Sequence, residues 1–300
     1  MAPSERDDLV EPVLAWYAEN ARDLPWRRPD TTPWGVLVSE VMLQQTPVVR
    51  VQPVWRDWLR RWRQPSALAA EPAGEAVRAW GRLGYPRRAL RLHAAAGRIV
   101  AEHGGHVPAG IDQLRALPGV GDYTAAAVAA FAHHRPAAVL DTNVRRVLAR
   151  LVAGTSGPTT SAPTRTERRT AQDLLPTDGA AAAGWSVGVM ELGALVCTAA
   201  APACESCPLS GSCRWFRAGR PAGTRATRTQ PYAGTDRQCR GRLLALLRER
   251  SGAVPAARLE VAWPDPVQRA RALGGLVLDG LVERVGSDGY ALPGLSRRAG

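Results

Sequence analysis

Three groups of residues in this 300-residue chain have the types and spacing to do chemistry. The first is a run of thiols, Cys197-x6-Cys204-x2-Cys207-x5-Cys213, four ligand-type side chains in one short stretch. A loop of that length, stiffened by Pro202 and Pro208, wraps a compact inorganic group. Structural zinc usually takes two separated Cys-x2-Cys pairs, and only one such pair is present, so a [4Fe–4S] cluster fits the spacing better than zinc or disulfides. The second group is Leu117-Pro118-Gly119-Val120-Gly121, a turn that exposes backbone N–H groups at the start of an Ala-rich helix and suits a phosphate. That helix leads on to Val139-Leu140-Asp141-Thr142-Asn143, which ends the spacer with a carboxylate. The third is Glu40, set beside the apolar residues Val36, Leu37, Val41 and Leu43. A glutamate there is costly unless it is paired or used in proton chemistry, and a plain surface glutamate is the competing reading.

The elements that position these groups read as helices. Asp7–Arg22 carries Val10, Val13, Leu14 and Tyr17 at helical spacing, and Leu24-Pro25-Trp26-Arg27 breaks it. Further helical patterns run over 34–45, 51–62, 75–83 and 90–103. Ile111–Leu117 and Tyr123–His134 flank the Gly-rich turn and make a helix-hairpin-helix. Residues 184–196 form a helix that passes Glu191 and delivers the chain to Cys197. No segment before 280 alternates convincingly, so the body is all-α.

Composition bounds the rest. Net charge is +12 and all 39 cationic side chains are arginine. The excess points to a polyanionic partner such as nucleic acid, and base-composition bias is the competing explanation. With no lysine, no side-chain amine is available for a Schiff base. No apolar run is long enough for a membrane span, and the acidic N-terminus does not read as a signal peptide. These features are those expected of a cytoplasmic protein.

Taken together, Ser39-Glu40-Val41-Met42-Leu43-Gln44-Gln45-Thr46, Leu117–Gly121, Leu140-Asp141-x-Asn143-Val144 and the cysteine spacing resemble the adenine DNA glycosylase (MutY) family of the helix-hairpin-helix DNA glycosylase superfamily. The resemblance spans residues 8–216. It implies a two-lobed all-α fold flanking a DNA cleft: 1–30 with 139–219 as the iron–sulfur cluster lobe, and 31–138 as a six-helix barrel. It also implies that Glu40 and Asp141 are the catalytic carboxylates, with Asn143 supporting Asp141 and a [4Fe–4S] cluster on Cys197, Cys204, Cys207 and Cys213. Gln45, Thr46 and Tyr85 would contact DNA, Gln45 and Tyr85 as wedges, with Gly119, Val120 and Gly121 on a phosphate. Leu24, Trp26, Arg27 and Glu191 match positions lining the adenine pocket.

Tyr123 stands where endonuclease III-like members carry a Schiff-base lysine, so hydrolysis without lyase cleavage is expected. The expected substrate is adenine opposite 8-oxoguanine or guanine in double-stranded DNA, acted on by a monomer. The alternatives are a thymine-removing T:G glycosylase on the same scaffold and a non-catalytic iron–sulfur DNA-binding regulator. The sequence departs from the family pattern at Pro86 and Thr142. It also lacks room for the Nudix-like C-terminal domain of longer members. After a linker over 220–235, residues 236–295 read as three helices and a hairpin, a small winged-helix-like domain whose expected role is DNA contact, with packing on the catalytic lobe as the alternative.

Overall fold

The computed structural model describes residues 3–223 and 232–296. Helices follow one another in the order α1 (Pro3–Asn20), α2 (Pro33–Leu43), α3 (Val48–Arg61), α4 (Pro65–Ala69), α5 (Ala73–Ala79), α6 (Arg87–His103), α7 (Ile111–Ala116) and α8 (Asp122–His133). They continue as α9 (Thr142–Leu148), α10 (Arg165–Asp173), α11 (Gly179–Leu195), α12 (Arg214–Arg217), α13 (Asp236–Arg248), α14 (Ala256–Ala262) and α15 (Pro266–Leu278). Strands β1 (Val254–Pro255), β2 (Glu283–Val285) and β3 (Gly289–Ala291) form one antiparallel sheet in the order β1-β3-β2. Among the described residues no helix is long and apolar enough to cross a membrane.

The chain divides into two compact units. One comprises Met1–Val36, Ala109–Ala116 and Val120–Thr227; the other comprises Leu37–Pro108, Leu117–Gly119 and Arg228–Gly300. The first unit buries Val10 and Val13 of α1 against Val144, Val147 and Leu148 of α9 and Trp185, Val189 and Leu192 of α11. Its helix ends are set locally. Thr164 and Glu167 form a reciprocal capping box at α10, and Asp178 caps α11 by accepting from the Ala181 N–H.

The second unit is built around tryptophan. Trp58, Trp62 and Trp80 are fully buried, with ring centroids 4.6 Å and 5.8 Å apart in edge-to-face pairs. The expected three helices and hairpin at the C-terminal end are present, with Glu283 paired to Ala291 and Arg284 to Tyr290. Strand β1 adds to the hairpin through the pairing of Val254 with Tyr290, an element too short to leave a periodic signal. This segment packs within the second unit. Arg78 Nε donates to the Arg248 carbonyl (3.0 Å), Arg248 Nε donates back to the Val77 carbonyl (2.9 Å), and Gly74 N donates to the Pro293 carbonyl (2.8 Å). Burial lowers the Arg248 pKa to about 10. Of the two roles open to the winged-helix-like segment, packing is the one these contacts show. The expected linker over 220–235 lies partly outside the described residues, at 224–231.

Candidate active site and cluster loop

Glu40 lies on α2 within an unbroken buried run from Trp34 to Met42. The helix is therefore buried all round rather than amphipathic, and Glu40 is 5% exposed among Leu37, Val38, Val41 and Met42. Ser39, beside it, is fully buried. Gln44, Gln45 and Thr46 follow the last turn, with the Thr46 N–H on the Leu43 carbonyl (3.2 Å) and Gln45 exposed.

The hairpin turn follows the sequence expectation. Leu117 and Val120 are buried anchors, and Gly119 has φ +80°. A Cβ at Gly119 would come within 2.7 Å of Arg91 Cβ, so both backbone conformation and space require glycine. Gly121 caps α8 with extended backbone and no side-chain hydrogen bond. Tyr123 is half-buried on that first turn, and the adjacent Asp122 is paired with Arg115 (2.9 Å) and Arg168 (3.4 Å).

Asp141 is the N-cap of α9. Its Oδ1 accepts from the Val144 N–H (2.6 Å) and its Oδ2 from Asn143 Nδ2 (3.1 Å). Burial raises its pKa, and the Val144 and Asn143 donors and the Arg146 charge oppose that rise. Asn143 is held in turn, because Arg146 Nη2 donates to its Oδ1 (2.8 Å). Arg146 also donates to the carbonyls of Gly193 (2.6 Å) and Cys197 (2.8 Å). At Gly193 a Cβ would lie 2.8 Å from Asn143 Cβ, so glycine is what lets α11 pass this close.

Glu191 is completely buried on α11. Arg22 grips it through Nε (2.6 Å), Nη2 (2.8 Å) and its backbone N–H (3.1 Å), and Arg27 Nη2 adds a fourth donor at 2.9 Å. Burial pushes the Glu191 pKa up, but these donors outweigh it and hold the value at about 2. Arg27 lies over the Tyr17 ring, and its buried Nη1 has no hydrogen-bond partner. Leu24 and Trp26 are buried on the same segment. A buried, unpaired guanidinium N–H beside apolar and aromatic surface suits a planar ligand with an acceptor.

The cysteine loop follows α11 directly. The Cys197 N–H bonds the Leu192 carbonyl (2.7 Å), and the N–H groups of Cys207 and Cys213 bond the carbonyls of Cys204 (3.2 Å) and Ser210 (3.3 Å). Cys197 and Cys213 lie close enough to Cys204 and Cys207 to act on both electrostatically. Burial pushes Cys207 up to about 11 and also raises Cys204, so these groups remain thiols unless a bound cation displaces the proton. Arg150 Nη1 donates to Cys197 Sγ (3.2 Å), and its guanidinium lies 4.4 Å from the Trp215 ring centroid. Among the described residues no three His, Cys, Asp or Glu side chains converge as ligands of a single metal ion. The donor set itself, four thiols with one of them facing a guanidinium, fits a thiolate-ligated group. Cys239 is buried in α13.

Sequence reasoning missed the arginines that hold these groups: Arg22 on Glu191, Arg146 on Asn143, Arg150 on Cys197 and Arg88 at the end of α2. In a chain whose cations are all arginine, composition gives no sign of which are buried.

Residues 38–172 match the family described as HhH-GPD superfamily base excision DNA repair protein. The chain is 53% identical over 289 residues to the adenine DNA glycosylase of Mycolicibacterium smegmatis, covering 95% of this chain and 97% of that protein, so the match takes in the C-terminal segment as well. Among solved structures, a thermostable thymine-DNA glycosylase superposes with TM-score 0.64 at 26% identity, over 72% of this chain and 98% of the other. An endonuclease III captured in a non-covalent DNA complex superposes with TM-score 0.61 at 23% identity, over 73% and 98%, which is a likeness of fold. Extent and identity together assign the chain to the adenine DNA glycosylase family, within the helix-hairpin-helix base excision DNA repair superfamily.

Proposed function

We propose that this protein is a monofunctional base excision repair glycosylase, acting as a monomer in the cytoplasm on double-stranded DNA. Its substrate is adenine mispaired with 8-oxoguanine or guanine. The observation that carries the reading is a glutamate, Glu40, buried on α2 in a chain 53% identical to an adenine DNA glycosylase.

The chemistry assigns a different protonation state to each carboxylate. A base must leave the stack before a side chain can reach its glycosidic bond. Adenine leaves poorly as an anion, so Glu40, protonated, delivers its proton to a ring nitrogen as the C1′–N9 bond breaks. The electron pair of that bond departs with adenine and leaves an oxocarbenium-like sugar. Asp141 stabilises the sugar as the carboxylate, with its negative charge supported by the Val144 N–H and the Asn143 amide. Water then adds at C1′ and gives its proton to Glu40, now ionised. No lysine is available to divert the sugar into β-elimination, and Tyr123 occupies the place on the hairpin where a lyase carries one.

Arg27 is the base-recognition donor of this reading: its unpaired Nη1 faces an acceptor on adenine while Glu191 fixes the guanidinium. Gln45 and Tyr85 enter the duplex, and the N–H groups at Gly119–Gly121 hold a phosphate without reading sequence. Cys197, Cys204, Cys207 and Cys213 would hold a [4Fe–4S] cluster, which would tie the loop after α11 together for contact with DNA. The cysteine spacing, with its single Cys-x2-Cys pair, favours the cluster over zinc.

The test is excision from A:8-oxoguanine, A:G and T:G duplexes, with alkali revealing abasic sites. Glu40→Gln is expected to fold and bind while losing roughly 10²–10⁴ in single-turnover rate. Release of thymine but not adenine would replace the substrate reading. Undiminished excision by the Glu40→Gln variant would remove the acid from the mechanism.

A further inference from the structure

Gln45 and Tyr85 lie 40 residues apart in sequence, yet share an unusual feature: both are non-glycine residues with positive φ, +56° and +46°. Left-handed backbone is costly for side chains of this size, so something must hold each turn. The same side chain holds both. Arg88, on the first turn of α6, is 6% exposed. Its Nη1 donates to the carbonyls of Val41 (2.9 Å), Met42 (3.1 Å) and Gln44 (2.6 Å), and its Nη2 donates to Thr46 Oγ1 (3.0 Å) and the Gly84 carbonyl (3.2 Å). These partners include the residues immediately before and after Gln45 and the one immediately before Tyr85. Thr46 Oγ1 reaches on to the Leu83 carbonyl (3.2 Å), which closes a second link between the two turns.

The Val41, Met42 and Gln44 carbonyls belong to the last turn of α2 and the residues just beyond it, the helix that carries Glu40. Helix-end carbonyls lack intrahelical donors, and a cation there also meets the negative end of the helix dipole. A guanidinium with its planar fork serves three such carbonyls and the opposite turn at once; an ammonium on a flexible stem serves one or two. Trp80 and Tyr85 sit against the guanidinium, 5.3 Å and 5.4 Å from ring centroid to the charge. Burying this cation disfavours its charged form, as its depressed pKa of about 10 shows, so its cost is tolerated for a local geometry.

We infer that Arg88 is a positioning residue that sets the two duplex-entering side chains, Gln45 and Tyr85, and the end of the Glu40 helix as one unit. It touches neither substrate nor reacting atoms; it fixes the spacing between two wedges and the acid they serve. The inference rests on the glycosylase reading, in which Gln45 and Tyr85 enter DNA.

The test uses the full chain with Arg88→Lys and Arg88→Met, each alone and combined with Gln45→Ala. Three quantities are read: thermal midpoint, single-turnover adenine release from A:8-oxoguanine DNA, and fluorescence of a 2-aminopurine placed beside the mismatch, which rises as the stack opens. The Lys variant is expected to fold, to bind DNA, to give less of the 2-aminopurine rise, and to release adenine roughly 10- to 100-fold more slowly, the scale of a small misplacement of reacting groups. Adding Arg88→Lys to Gln45→Ala is expected to cost less than it does in the wild-type background, because the two changes remove one function. Additive effects with a wild-type fluorescence rise in Arg88→Lys would overturn the proposal, as would a lowered thermal midpoint with unchanged opening and rate. If Arg88→Met fails to fold, the Lys variant and its cycle still decide. Should the wild-type protein release no adenine while stack opening depends jointly on Arg88 and Gln45, the glycosylase reading fails and this one stands.

Discussion

Substituting Asp141 by asparagine separates the catalytic role of this carboxylate from its structural one. Asp141 caps α9 through the Val144 N–H at 2.6 Å, and asparagine caps nearly as well as aspartate, so that contact survives the change. Asn143 Nδ2, now on Oδ2 at 3.1 Å, would face an amide nitrogen or have to rotate, a loss of about 1 kcal/mol for one hydrogen bond. Against that loss stands relief of the burial that raises the Asp141 pKa, since a neutral amide carries no such penalty. The two effects oppose each other, and Asp141→Asn is expected within about 1 kcal/mol of wild type at pH 7, near the resolution of a thermal shift. Asp141→Ala loses the cap outright and should be destabilised by about 0.5–2 kcal/mol.

The pH dependence has a defined sign. Because the folded pKa is raised, the folded state holds its proton longer than the unfolded chain. Stability from this group is therefore greatest below the unfolded value and falls as pH rises through the folded one. The stability of Asp141→Asn relative to wild type should thus improve from acid to neutral pH and then level off. Activity runs the other way: both variants should lose at least roughly 10²-fold in single-turnover excision, through loss of charge stabilisation at the sugar. Thermal melts from pH 4 to 8 alongside adenine-release assays make the measurement. Asparagine as damaging to stability as alanine, or excision retained by either variant, would refute this account of Asp141.

Three further outcomes follow from the geometry. Glu191→Gln leaves Arg22 and Arg27 beside a neutral group where they shared a carboxylate held at about 2, and a broken buried pair costs about 3–5 kcal/mol. Denaturant midpoints should show that loss, accompanied by weaker discrimination of adenine from other bases. Gly119→Ala must place a Cβ 2.7 Å from Arg91 Cβ at φ +80°, so duplex affinity in filter or anisotropy titrations should fall with little change in the rate from the bound state. Cys207→Ser removes one of four thiols from the loop; iron content per chain and near-visible absorbance should drop together, whereas a protein that keeps stoichiometric zinc would replace the cluster reading.

Residues 232–296 dock within the second unit. Arg78 and Arg248 each donate to a backbone carbonyl on the other's side of the contact, and Arg87 pairs with Asp279 at 2.9 Å. The segment thereby buttresses the helices that carry Arg88 and the Tyr85 turn.

By itself the sequence determined everything that depends on local pattern. Gly119 and its neighbours specify a left-handed turn because only glycine fits both the φ and the space, and the turn appears where they stand. The cysteine spacing put four thiols in the one segment that follows α11, which chain order alone dictates. Asp141, expected as the carboxylate that closes the spacer after the hairpin, is in the structure the N-cap of α9. Tertiary structure decided what depends on partners distant in the chain. Glu40 looked like a residue at the rim of an apolar stripe, and only packing on every side of α2 made it a buried acid. Arginine abundance read as a charge for DNA, yet Arg88, Arg145, Arg146 and Arg150 are buried and bond backbone carbonyls and side chains within the fold. Periodicity reports which face of a helix is apolar; it carries no record of which guanidinium will cap which distant turn.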